Sequence, residues 1–437
     1  MSTNSVPIPP RSGSGSVSVS GSVSDSVSVS DSGPDTGPDS DSDSGDVRAW
    51  LSDDAAAWTG ARPGSWARPF WSVLALLVTV VAAIVTEPAP VCSDVAPCGT
   101  DWVGMAQVGL AVGLLYWFAR LPELALAAAP VLAVIVAWEE LSSDGWVSRA
   151  ANLAVIAALG LGSAASWARL AARRKQRRLV DRVDAAQGRR LEFAGPVGRG
   201  TIPVVAGLLL CAVAVGAIVT GLRAVHGDEQ QAARATRTEA EVTGRTDLSL
   251  RVRTDDGRRI SVDALFPEDY RLGTRVVVLE DEKWRRLVAE PYDALGWQLL
   301  GLAGGLPGLS LLTTGLLARR RGTALRRGPV PALRVLERLD EEGRTWVYAA
   351  DDPAGSTPLL VCACVPVSRD VEERVGADLH EAVMLGAPYD GAELAFVSRA
   401  VRAATAAEGT TEGPLLVTRT FTPARVPPTG KGRPQGA

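Results

Sequence analysis

Apolar and polar positions follow three patterns along this chain, and each predicts a different kind of element. The first is the uninterrupted apolar block. Six occur: Phe70–Thr86, Val103–Ala119, Leu124–Trp138, about Val147–Leu170, Ile202–Leu222 and Leu295–Ala318. At about 15 to 24 residues each, they match the length of helix needed to cross roughly 30 Å of hydrocarbon. Six transmembrane helices are therefore expected. The third block is the shortest, is interrupted by Pro130, and is tied to the second by the turn RLPE. Trp66, Trp71, Trp102, Tyr116, Trp117, Trp138, Trp146, Trp167 and Trp297 lie near block ends, where amphipathic rings prefer the headgroup level.

The second pattern is short alternation of period two. Between the fifth and sixth blocks, LSLRVRT and RRISVDA flank the turn signal DDG, and RVVVLED follows. These read as strands of a small antiparallel barrel or sandwich of SH3-like or OB-like type over residues 226–294, entered through a helical or mobile stalk. After the sixth block, residues 329–423 repeat the style with PALRVLERL, RTWVYAAD, PLLVCACVP, ELAFVSRAV and GPLLVTRTFTP. Both regions run from an apolar strand through a charged Gly turn to a final strand that meets a proline, which suggests two copies of one β module.

The third pattern is no apolar pattern at all. Residues 1–48 are a Ser/Gly/Asp-rich, low-complexity tail that cannot bury enough apolar surface to offset its ordering entropy, so disorder is expected. The stretch has neither the basic start nor the apolar core of a signal peptide. Residues 424–437 are expected to form a second disordered tail. The predicted fold class is thus membrane α-helical, with six transmembrane helices, two small mainly-β domains and a disordered N-terminal tail. The layout is a four-helix region over 70–170, a basic loop over 171–201, helix five over 202–222, an outer β domain over 226–294, helix six over 295–318, and an inner β domain over 329–423.

Charge orients this layout. The loop 87–102 has no Lys or Arg, and neither does 139–146, whereas 168–201 contains RLAARRKQRR and the sixth block is followed by RRRGTALRR. Positive residues favour the cytoplasmic side in short loops, so both termini are expected there and residues 226–294 outside. The net charge of −4 averages the acidic N-terminal tail with these basic flanks. Ala, Arg, Gly and Val usage suggests a bacterial plasma membrane.

The chain has 5 cysteines, and two of them, Cys92 and Cys98, fall in the outer loop EPAPVCSDVAPCGTDW. Thiols are not kept reduced there, so a disulfide is expected, the alternative being two free thiols. Cys362 and Cys364 lie in an apolar strand on the reducing side and read as buried structural residues. Cys211 reads as membrane packing.

Catalytic patterns are missing. The chain has 2 histidines, His226 and His380, and neither has a nucleophile signature beside it, so both read as surface residues. GxSxG, HExxH, Walker A and helix-opening GxGxxG motifs are absent. No catalytic, metal or cofactor-binding residues are expected, and no nucleic-acid partner. Helix interiors offer only Gln107, Asn152 and scattered Ser or Thr, whereas carriers place charged residues deep in the bilayer. Gly301, Gly304, Gly305 and Gly308, spaced four apart in two overlapping pairs, allow close approach of a second helix, within the chain or in a homodimer. Arg173, Arg174, Lys175, Arg177 and Arg178 form a topogenic flank that could also contact lipid headgroups.

The segments EVTGR, RTDDGRRISVDA, GTRVVVLEDEKWRRLVAEPYD and GAPYDGAELAFV resemble a broad set of uncharacterised bacterial multi-pass membrane proteins that carry a small β-barrel between or after transmembrane helices. The resemblance implies a fold and no activity. The expected function is a non-enzymatic interaction or envelope scaffold presenting β modules on both faces, with membrane lipid and other membrane or envelope proteins as partners. The alternatives are a transporter or channel subunit and, third, a membrane-bound enzyme.

Overall fold

A computed structural model describes residues 47–437 except 88–91, 96, 140–144, 184–199, 266, 283, 291, 328–329, 341–343, 367–378, 399–414, 419–423 and 428–437. The tail 1–46 and the terminal stretch from 428, both expected to be disordered, lie outside the described residues, as does most of the basic loop beyond 183.

Each apolar block forms a helix. These are α2 (Pro69–Thr86), α3 (Trp102–Arg120), α4 (Pro122–Glu139), α5 (Trp146–Val183), α6 (Thr201–Ala232) and α7 (Leu295–Arg327). Among the described residues, α2, α3, α5, α6 and α7 are long and apolar enough to cross a membrane; the apolar run of α4, Pro122–Trp138, is shorter. Five helices therefore meet the length where the sequence suggested six. At 1.5 Å per residue the apolar run of α4 reaches about 25 Å, short of the hydrocarbon thickness. The 38 residues of α5 reach about 57 Å, so its basic end projects well past its apolar part.

Helices α2 to α5 pack in a group, and α6 packs most extensively on α7. The two sets meet where α3 crosses α7: Gly109 and Gly113 face Leu302 and Leu306, and Trp117 Nε1 donates to Ser310 Oγ at 2.9 Å. The α6–α7 pair is antiparallel and runs on small residues. A Cβ placed on Gly304 would come 2.9 Å from the Leu210 carbonyl, and one on Gly308 2.9 Å from Cys211 Sγ. Gly207 and Gly315 extend this seam toward the start of α6, where Gly315 meets Val204 and the Gly200 carbonyl. The predicted packing glycines thus serve a contact within the chain.

Between α6 and α7 lies a five-stranded antiparallel sheet of β1 (Thr236–Arg245), β2 (Ser249–Thr254), β3 (Arg259–Asp263), β4 (Arg275–Asp281) and β5 (Trp284–Leu287), ordered β3-β2-β1-β4-β5. Alternation places Leu250, Val252, Ile260, Val262, Val276 and Val278 in its core. The edges β3 and β5 lie against each other, as in a partly open barrel. After α7 come β6 (Ala332–Leu339), β7 (Arg344–Tyr348), β8 (Leu360–Pro366), β9 (His380–Leu385), β10 (Ala395–Ser398) and β11 (Leu415–Thr418), which close into a barrel ordered β10-β11-β8-β7-β6-β9.

The two modules share a strand order. Replacing β1 to β5 by β6 to β10 turns β3-β2-β1-β4-β5 into β8-β7-β6-β9-β10, and β11 then joins β8 to β10. Each module also directly follows the long helix of its pair. His380, read from sequence as a surface residue, opens β9, where His380, Ala382 and Met384 alternate toward the barrel interior; Ala382 and Met384 are fully enclosed there.

Candidate functional site

Both ends of the helical group are fastened to a β module. At the sheet end, the loop before α3 leans on β4 and the strand-to-helix connection. Cys92 and Cys98 form a disulfide with their Cα atoms 5.3 Å apart. The Cys98 amide donates to the Ala289 carbonyl at 3.1 Å, and the Val277 amide donates to Asp94 at 3.1 Å. Gln298 at the start of α7 donates to the Asp101 carbonyl at 2.9 Å. Below the sheet, buried Asp228 at the end of α6 accepts from Trp284 at 3.2 Å and pairs with Arg286.

At the other end, the segment ahead of α2 enters the barrel. Residues 48–50 insert where β6 and β7 splay: the Arg334 amide donates to the Arg48 carbonyl, the Trp50 amide to the Arg334 carbonyl, and the Ala350 amide to the Trp50 carbonyl, each at 2.9 Å. A short helix, α1 (Ser52–Gly60), then lies across the barrel opening. Its Trp58 meets Trp50 of the inserted segment edge to face at 5.5 Å within the barrel core. Trp58 Nε1 donates to the Pro388 carbonyl at 2.9 Å. The projecting end of α5 adds Val180 to the same core, and its Gln176 donates to the Trp58 carbonyl.

This end also concentrates charge. Barrel residues Tyr389–Gly391 reach toward the ends of α5 and α7. Arg173 donates to Glu123 at 3.1 Å and lies 3.8 Å from Asp390; Arg321 lies 3.8 Å from Glu123 and donates to the Gly391 carbonyl at 2.9 Å. Arg177 stacks over Tyr389 at 4.0 Å. Arg62 lies over Trp58 at 5.9 Å, and burial lowers its guanidinium below the ordinary value although the Asp390 charge works the other way. Of the basic flank read from sequence, Arg173 is thus largely enclosed by carboxylates, Arg177 touches the barrel, and Arg174, Lys175 and Arg178 are exposed. The convergence of Arg62, Glu123, Arg169, Arg321 and Asp390 escaped the sequence reading because they come from separate segments.

The far mouth of the barrel gathers the remaining chemistry. His380 is not the surface residue expected from sequence: register places it opposite Glu337, and its Nε2 lies 3.1 Å from the buried Glu337 Oε1. Cys362 and Cys364 are buried with their sulfurs 3.6 Å apart, and Cys362 points to the Thr345 carbonyl at 3.7 Å. The shared hydrogen of Cys364, burial and nearby Glu337 together push the Cys362 thiol up. A raised thiol pKa means less thiolate, the opposite of a reactive cysteine. Among the described residues, no three His, Cys, Asp or Glu side chains form a metal-binding group. His226 stands exposed on α6 beside Gln230 and Glu229.

No family model matches this chain, and no match is found among curated proteins or among solved structures.

Proposed function

We propose that the protein is a non-enzymatic, multi-pass scaffold of a bacterial plasma membrane that presents a β module on each face. In this reading α4 completes six crossings, the sheet β1–β5 is outside, and α1 and the barrel are cytoplasmic. The observation that carries it is the pair of modules with one strand order at opposite ends of the α6–α7 seam. A protein built to present surfaces needs rigid mounts, and both modules are held by hydrogen bonds to helix ends and loops. The arginine-free loop on the sheet end and the basic helix ends at the barrel favour this orientation. Other envelope proteins are the proposed partners, and a homodimer would need a face of α7 other than its glycine seam.

Single cysteines at Ser261 on the sheet and Asp352 on the barrel test the layout. With a membrane-impermeant maleimide on intact cells, the first should label and the second only after permeabilisation. Labelling of both, or of the barrel alone, overturns the orientation. Solute uptake or conductance by protein reconstituted in liposomes would replace the scaffold with the transporter reading.

A further inference from the structure

We propose that the junction between the helix ends and the barrel is a binding site for the phosphate headgroup of an acidic phospholipid. The argument begins with unequal charge. Four arginines, Arg62, Arg169, Arg173 and Arg321, surround two carboxylates, Glu123 and Asp390. Glu123 is shared by Arg173 and Arg321, and Asp390 lies within ion-pair distance of Arg173. Among the described residues neither Arg62 nor Arg169 has a carboxylate within 4.0 Å. Arg169 turns to neutral acceptors of its own helix, Ser166 Oγ at 3.1 Å and the Ala165 carbonyl at 3.4 Å. All four arginines are at least partly buried. Burial removes part of the water that would otherwise screen a charge, so each guanidinium here interacts more strongly with any anion that reaches it. Two positive charges are thus left without a carboxylate partner among the described residues, and their net field favours an anion.

Position selects the anion's source. The cluster lies where the apolar parts of the helices stop: Glu123 opens α4, Arg169 and Arg173 follow the apolar part of α5, and Arg321 follows that of α7. Beyond Arg62 the chain passes through exposed Trp66, Phe70 and Trp71 into α2, whose Val78 and Val81 are also exposed. A phosphate carried on acyl chains can meet the arginines while its tails lie along such a surface. Basic pockets between helix ends on the cytoplasmic side bind acidic headgroups on this principle. The arginine fork also fits two phosphate oxygens at once. The assignment rests on the membrane reading above.

The full chain is purified in detergent and transferred to mixed micelles of phosphatidylglycerol and phosphatidylcholine, and retained lipids are counted by native mass spectrometry. The wild-type chain should retain phosphatidylglycerol in preference, a result read without any variant. Arg62→Gln with Arg169→Gln should weaken that retention about fivefold for each arginine lost. Arg251→Gln with Arg253→Gln, both exposed on the sheet at the opposite end of the helices, should leave it unchanged. Equal retention of the two lipids, or an unaffected Arg62/Arg169 variant, overturns the site and leaves the membrane reading standing. Protection from heat by inorganic phosphate alone, equal to that by phosphatidylglycerol vesicles, would overturn the lipid assignment in favour of a free anion. A chain that does not insert into vesicles at all overturns both proposals.

Discussion

Asp351, on the turn after β7, caps a helix almost three hundred residues earlier: its Oδ1 accepts from the Ser52 amide at 2.8 Å and from the Ser52 hydroxyl at 2.7 Å. A helix start leaves its first amides without partners, and a carboxylate placed there also meets the positive end of the helix dipole. A short helix such as α1 is marginal alone in water, so the barrel holds it in shape.

Asp351→Asn should therefore loosen α1. The bonds to Ser52 hold the Asp351 carboxyl below the usual carboxylate range. Its contribution is then fully present above the unfolded value of about 4 and fades as pH falls through the lower folded value. Hydrogen exchange of the first amides of α1 should quicken in the variant at neutral pH. In the wild type the protection of these amides, relative to an unfolded chain at the same pH, should fall only under strong acid, and equal exchange in both chains at neutral pH would contradict the cap.

The glycine seam predicts sharply unequal outcomes for one substitution. Gly308→Leu has Cys211 in its way, whereas Gly216 of α6 has nothing within 4 Å. Overpacking a close contact costs about 1–3 kcal/mol or more. Thermal unfolding in detergent, followed by circular dichroism, should shift well downward for Gly308→Leu and hardly at all for Gly216→Leu.

Reduction of the Cys92–Cys98 bond should act locally. Closing so short a loop contributes about 2 kcal/mol through the unfolded chain. Reductant should speed exchange of the Cys98 amide, now bonded to Ala289, and leave the barrel amides untouched. Cys92→Ala with Cys98→Ala should show the fast exchange without reductant.

Cys362 and Cys364 should resist alkylation in the folded chain. Both are buried, and the first is held in its protonated form. Maleimide labelling at neutral pH should stay low until denaturant opens the barrel. Glu337→Ala removes the partner of His380 and should destabilise the barrel by about 1–3 kcal/mol, lowering the denaturant needed.

The long apolar helices were plain in the sequence because each is a nearly uninterrupted apolar run of the length that crosses a bilayer. Strands β2 and β3 were plain because one face is wet and one dry, which prints the pleat on the residues, and β4 because RVVVLED carries a continuous apolar run of the buried type. What escaped depends on partners far along the chain. Nothing local marks Ser52 as a residue capped by Asp351, or Arg62 as a neighbour of Asp390. His380 looked exposed because its neighbours in sequence are polar, while the neighbour that encloses it, Glu337, sits on another strand. Gly207 and Gly315 lacked the paired spacing that made the glycines from 301 to 308 conspicuous.

A unit of one long helix followed by one β module inverts itself when repeated. Since α6 and α7 run in opposite directions, the barrel follows at the far end of the seam from the sheet. On the membrane reading proposed above, two such units in series place their modules on opposite faces with no separate instruction for either one.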